Sequence, residues 1–512
     1  MGRKYNYLTK SKITSGLQCQ KKLWFDVHNP IKKDKAVFYG GNRFGEQVIK
    51  NYSKDNLKTL NLTGVWANPV EKTLNAIKSK NIDIIFEAAF EYENTQVRTD
   101  VLLKNKDGWE LLEAKSSTKL KPEHIPDISI QSYIVRKSLK QIGEKLTKIK
   151  LIHINTNFIY KKKNDYEDLI NDDNELTSNV VEEDVSGFVK ELLPITSKEA
   201  ECPKINPGDH CTKPYVCDYI ERCKAPQNKS NIISFSILPY IGKDKKLIEY
   251  MKNQQTEDLQ NVPASFFKDR KDYAPKYHQI IQEAHKLNKP WFNPNLKEVL
   301  KKFTFPLYFM DFETAGQVVP IVLGTSPYYP LPFQWSVHKW ESKNKEVDKG
   351  KSFLKFNDQD IERQFIESLL EALGDKGTIL AHGAKSVEIK TLERLKEKDS
   401  CKDLSNKIDE IINRVEDTAI IAKNNFYSPL MNGDWGVKSI IKAIPDCKIS
   451  YEGDGILSGG ADAGLAWFIC TNPKTTVEEK EKQKKLLLDY CSKDTLALYC
   501  FVKYLIDQHE SI

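Results

Sequence analysis

Phe305-Pro306-Leu307-Tyr308-Phe309-Met310-Asp311-Phe312-Glu313-Thr314 is an apolar run broken by two acids. Read as a strand, it sends Asp311 and Glu313 to one face, because side chains alternate with a period of two. A strand built for burial does not carry two carboxylates on one face without compensation, since burying them unpaired is costly. Either the strand ends at the surface, or the pair grips divalent cations. The sequence further along favours cations. Pro332-Phe-Gln-Trp-Ser-Val-His338 has the composition of an adjacent antiparallel strand. Thr378-Ile-Leu-Ala-His382 is a further short strand, running into a helix start that bears Glu388. Leu486-Leu-Leu-Asp-Tyr490-Cys-Ser-Lys-Asp494 begins an amphipathic helix in which Tyr490 and Asp494, four apart, share a face.

The order Asp-x-Glu, helical acid, Tyr-x-x-x-Asp resembles the DnaQ-like, RNase H-fold 3′–5′ exonucleases of the tyrosine type, over residues 302–512. The resemblance implies that Asp311, Glu313, Glu388 and Asp494 hold two divalent metals about 4 Å apart, one activating water and the other stabilising the leaving oxygen. It implies that Tyr490 orients the nucleophilic water. Most of that superfamily has aspartate where Glu388 stands, so either a backbone shift absorbs the extra methylene or the site is impaired. Asp417, in Val415-Glu-Asp-Thr418, is an alternative fourth acid with a supporting role expected. Lys438, in Gly436-Val-Lys-Ser-Ile-Ile-Lys, is expected either near substrate phosphates or on a solvated helix face.

The first half carries a second constellation. Phe86-Glu-Ala-Ala-Phe-Glu-Tyr92 and Gln96-Val-Arg-Thr-Asp100-Val-Leu-Leu103 read as strands. Asn105-Lys-Asp-Gly108 is a turn, and Trp109-Glu-Leu-Leu-Glu-Ala-Lys115 is a third strand with Glu113 and Lys115 on one face. Asp100 can lie across from them. Two carboxylates there suit Mg²⁺ or Mn²⁺, and the lysine would position water or stabilise charge. Such a triad also arises by chance in a lysine-rich chain. A helix from about Asp127 brings Gln131 near the site, and a helix following Gly40-Gly41 carries Glu46, either toward the same centre or into solvent.

Cys19, and far downstream Cys211, Cys217 and Cys223, bracket this segment. Five residues separate the late cysteines twice, where zinc sites favour two to four. A set with one distant member suits a 4Fe-4S cluster, with zinc as the alternative and buried free thiols as the plain one. Pro207-Gly208-Asp209 supplies turn chemistry, and Cys202 is a spare thiol. Together, residues 1–225 resemble the RecB-like branch of the PD-(D/E)XK nucleases, closest to the iron–sulfur members of the CRISPR-associated and AddB types. The resemblance implies catalytic roles for Asp100, Glu113, Lys115 and Gln131, and a structural cluster on Cys19, Cys211, Cys217 and Cys223. Those nucleases carry a Gln-x-x-x-Tyr helix, whereas Tyr133 follows Gln131 by two.

The expected fold class is therefore α/β: a restriction-endonuclease-like PD-(D/E)XK domain (1–225), a helical connector (226–301) and an RNase H-like exonuclease domain (302–512). Hydrophobic residues at 40% suffice for ordinary cores, and a net charge of +7, from 78 basic and 71 acidic residues, neither demands nor excludes nucleic acid. No apolar run approaches the ~20 residues that span a bilayer, and the start lacks a secretion signal, so a cytoplasmic location is expected. The expected function is metal-dependent cleavage of nucleic acid, DNA over RNA and single strands over duplex. The rivals are a non-catalytic nucleic-acid scaffold with decayed sites and an RNA exonuclease.

Overall fold

The computed structural model describes residues 5–31, 39–53, 56–180, 182–224, 232–267, 276–356, 359–451, 457 and 459–510, and is mixed α/β. It divides into two units: Met1–Lys229 with Gln317–Tyr328, and Ser230–Gly316 with Tyr329–Ile512. The expected boundary at 225/226 lies outside the described residues. The connector does not stand apart. Its Leu238, Leu247, Met251, Leu259 and Ile281 are buried in one cluster with Phe309, Phe426 and Val502 of the second unit.

In the first unit, seven strands form one sheet: β1 (Leu8–Thr9), β2 (Thr59–Asn61), β3 (Ile84–Tyr92), β4 (Thr95–Asn105), β5 (Gly108–Lys115), β6 (Leu146–Ile154) and β7 (Ile170–Glu175). They run in the order β2-β3-β4-β5-β6-β7, with β1 parallel to the start of β4. The expected strands and turn are present. Glu93 and Asn94, both left-handed, make the two-residue turn between β3 and β4 that the sheet twist favours. At the next turn a Cβ on Gly108 would meet the Lys145 carbonyl oxygen at 2.5 Å, so only glycine fits. Helix His124–Gln141 covers the sheet through Ile128, Ile130, Ile134 and Leu139.

The segment Gln317–Tyr328 leaves the second unit's sheet and belongs to the first unit. Val319 is buried with Phe158, Tyr160 and Leu169, and Tyr160 exchanges backbone hydrogen bonds with Gly324 and Thr325 at 2.8 and 3.0 Å.

The second unit pairs β8 (Trp291–Phe292) with β14 (Phe426–Tyr427). Its main sheet contains β9 (Leu307–Gly316), β10 (Pro330–Trp340), β11 (Lys351–Leu354), β12 (Thr378–Ala381) and β13 (Val415–Asp417). The order is β11-β10-β9-β12-β13, with β10 antiparallel to β9 and β12 parallel to it. Asp311 stands opposite Ser336 and Glu313 opposite Gln334. The long helix Val477–Glu510 is pinned to β10 by buried polar ties. Gln334 donates to the Leu487 carbonyl at 2.7 Å, and His338 and Ser336 meet Thr495 Oγ1 at 2.8 and 3.1 Å. Leu498, Phe501, Val502 and Leu505 continue the buried stripe, and fully burying each such side chain contributes roughly 2 kcal/mol. This fixed rotation of the helix carries Asp494 to the acids of β9.

Candidate functional site

Carboxylate oxygens of Asp311, Glu313 and Asp494 all lie within 4.8 Å of one another. The strand period supplies two of them and the pinned helix the third. Three like charges so close suppress ionisation. Burial first, then Asp494, Glu313 and Glu388, push Asp311 well above the carboxylate range. Burial and the same neighbours push Glu313 up to about 8. Glu388, at the first turn of helix Glu388–Lys396, is 2% exposed, and burial raises it to about 8 against hydrogen bonds from its own and the Phe312 backbone. Its Oε2 is buried with no hydrogen-bond partner. A crowded trio beside an orphaned carboxylate oxygen fits divalent cations, which take oxygen ligands and supply the missing positive charge.

Asp494 is also raised by burial, opposed by hydrogen bonds from Tyr451 and Tyr490 and by Lys438. Tyr451 donates to its Oδ1. The two tyrosine rings meet edge to face at 6.2 Å, and Lys438 Nζ lies 4.8 Å from the Tyr451 centroid and 5.3 Å from that of Tyr490. The Cys491 thiol donates to Asp311 Oδ2 at 3.3 Å. Asp417 accepts from the backbone N–H groups of Ala419 and Gly383, both at 2.9 Å. It caps a helix and does not join the trio.

In the first unit, Asp100 and Glu113 face each other across β4 and β5. Asp100 Oδ2 accepts from the Ala114 N–H at 2.6 Å, and Glu113 is 2% exposed. Lys10 and Lys115 both donate to Glu113 Oε1, at 2.7 and 2.8 Å, and Gln131 donates to Oε2 at 2.7 Å. Burial alone would raise Glu113, but Lys10 and Lys115 outweigh it and hold the carboxyl well below its usual range. Burial and Glu113 push Asp100 the other way, well above it. Asp127 pairs with both lysines, at 3.3 Å from Lys10. Lys115 is held as a cation because Glu113 and Asp127 outweigh its burial. Opposite Asp100 on β3, Glu87 has φ +54, and its pairing lapses between Phe86↔Val101 and Ala88↔Thr99. A bulky residue held left-handed beside two carboxylates is strain placed at a site.

Cys19, Cys211, Cys217 and Cys223 line one cavity with Lys21, Lys22 and Phe25. No three sulfurs of the described cysteines come within 4.8 Å of one another. Burial raises the Cys217 and Cys223 thiols.

Of the residues singled out by sequence, Asp311, Glu313 and Asp494 come together with Glu388 outside that trio, and Lys115 and Gln131 both donate to Glu113 beside Asp100. Tyr133 does not reach the first centre. Two positions from Gln131 is over half a helical turn, and its ring packs against Tyr92 at 6.0 Å. Glu46 is exposed on helix Tyr39–Tyr52. Asp127, four before Gln131, and Cys491, three before Asp494, carried a same-face signal that went unread. Lys10 and Tyr451 had none, lying 103 and 43 residues from their partners.

Fold and site define a two-unit α/β protein with one compact carboxylate trio and one carboxylate–lysine centre. A family described as "Domain of unknown function (DUF2779)" matches residues 308–436, which include Asp311, Glu313 and Glu388. A solved structure titled "Crystal structure of SSO0001" is similar at 12% identity over 39% of this chain and 80% of that one, with a TM-score of 0.19, too low to carry a structural argument. No curated protein matches the chain. Among the described residues, no helix is long and apolar enough to cross a membrane.

Proposed function

We propose that this chain is a metal-dependent nuclease with two centres, trimming or degrading DNA ends and preferring single strands. Its second unit would be an RNase H-like, DnaQ-type 3′–5′ exonuclease and its first a RecB-like PD-(D/E)XK nuclease with a 4Fe-4S cluster, acting in the cytoplasm. The observation that carries the reading is the convergence of Asp311, Glu313 and Asp494 within 4.8 Å, beside the orphaned Oε2 of Glu388. Those four carboxylates would hold Mg²⁺ or Mn²⁺, which lowers the pKa of bound water and offsets charge on the leaving oxygen.

The remaining work falls to the chain's own groups. Tyr490, on the turn before Asp494, would hold the attacking water by its hydroxyl. Lys438, above the two tyrosine rings, brings a positive charge for a phosphate. In the first unit, Asp100 and Glu113 would hold a metal ion, Gln131 orients Glu113, and Lys115 stays protonated to stabilise charge on the phosphorane. Cys19, Cys211, Cys217 and Cys223 would hold the cluster and tie the end of the unit to its start.

Strands labelled at either end, digested with Mn²⁺ and with EDTA, test the reading. Trimming should need metal, and Asp311→Ala should abolish 3′-end trimming while Asp100→Ala abolishes the other activity. Unchanged 3′ trimming by Asp311→Ala rejects the second centre. Anaerobic purification with a visible spectrum tests the cluster, and a colourless protein with stoichiometric zinc rejects it. Competition between matched DNA and RNA decides between the two polymers.

A further inference from the structure

We propose that Trp66 is a nucleobase-stacking platform beside the first unit's carboxylate–lysine centre, taking an unpaired base of single-stranded DNA. The proposal rests on the nuclease reading and names a substrate contact of that same centre. Trp66 is 80% exposed, although a buried indole would remove a large apolar surface from water. The ring is nonetheless held. The Arg98 guanidinium carbon lies 4.8 Å from its centroid, a cation–π contact on one face. The same guanidinium donates to the carbonyls of Leu62 and Val65, fixing the backbone just before Trp66. Leu62 is itself buried, and the Val65 N–H closes the turn onto the Leu62 carbonyl at 3.0 Å.

Arg98 also ties this ring to the chemistry. It sits on β4 two residues before Asp100, so both side chains rise from one face. Its backbone carbonyl accepts from Gln131 Nε2 at 3.2 Å, the same amide nitrogen that donates to Glu113. With Arg98 on one ring face, the other is left open on a loop braced to the centre. A flat, exposed π-face backed by a guanidinium matches a polymer of anionic phosphates and aromatic bases. Stacking accepts any base, which suits an enzyme that follows a strand without reading it.

The test uses the full chain in EDTA, so that strands bind without being cut, with fluorescein-labelled oligothymidine and an abasic strand of the same length. Trp66→Ala should weaken oligothymidine binding by about 5- to 150-fold, the range for one stacked base. Trp66→Phe should restore most of it. On the abasic strand, wild type and Trp66→Ala should bind alike. The loss should be equal at low and high salt, because stacking releases no counterions. A Trp66→Ala protein that binds oligothymidine like wild type, or loses as much on the abasic strand, overturns the platform. If metal-dependent cleavage persists alongside that result, the nuclease reading stands without it. A wild-type chain that neither binds nor cuts single strands overturns both.

Discussion

Replacing Asp494 by Asn removes one charge from three packed carboxylates, and the metal-free protein should become more stable as its function is lost. At 4.8 Å and an effective dielectric of about 20, each pair of full charges repels by about 3.5 kcal/mol. At pH 6 much of that repulsion is relieved because Glu313, raised to about 8, holds a proton. At pH 9 Glu313 is ionised and the repulsion is present. The substitution should therefore stabilise the EDTA-treated protein by about 3 kcal/mol at pH 9 and by distinctly less at pH 6. Asn keeps a carbonyl oxygen for the Tyr451 hydroxyl, so packing is not disturbed. At about 2–4 °C per kcal/mol, the melting midpoint should rise by roughly 6–12 °C at the higher pH. Mn²⁺ at a hundredfold excess over its dissociation constant should add about 2.7 kcal/mol to wild type and nothing at this site to the variant. Melting curves at both pH values, with Mn²⁺ and with EDTA, read both effects. A variant that melts at or below wild type at pH 9, or keeps the full Mn²⁺ shift, would refute the electrostatic reasoning.

Mn²⁺ binding near pH 7 should release protons, because Glu313 and Glu388 titrate near 8 in the metal-free protein and must ionise to act as ligands. Calorimetry in two buffers of different ionisation enthalpy should give different heats that converge above about pH 9, and identical heats at pH 7 contradict it. The same raised values mean that stability of the metal-free protein, largest below the unfolded carboxylate range, should fall as pH rises through 8. Lys10→Met should leave Glu113 with one ammonium partner and destabilise the first unit by about 1.5–3 kcal/mol, measured by denaturant unfolding. Gly433→Ala should cost the second unit at least ~2 kcal/mol, because φ is +77 and the added Cβ would lie 1.9 Å from the Ile237 carbonyl oxygen. A normal melting curve for that variant contradicts it.

Local periodicity makes much of this structure legible in the sequence. The two-residue spacing of Asp311 and Glu313, and of Glu113 and Lys115, assigned each pair to one strand face, and the four-residue spacing of Tyr490 and Asp494 assigned them to one helix face. Asn105 to Gly108 announced its turn by composition. What escaped was set by packing across long stretches of chain. Lys10 reaches Glu113 only because β1 pairs with β4, and Tyr451 meets Asp494 only once the long helix is docked. Nothing local in the connector announces that it packs into the second unit's core. The partners that bury Leu247 and Ile281 are far away in sequence.

The excursion of Gln317–Tyr328 into the first unit bears on the order in which the polypeptide matures on the ribosome. Domains emerging from the N-terminus generally fold as they are made. Here the first unit lacks Val319 from its core, and Tyr328's bond to the Ser116 carbonyl, until the ribosome has passed well beyond Lys229. A nascent chain halted before residue 317 would display an incomplete first unit, and a gene split after residue 229 would leave that unit's last segment in the other half.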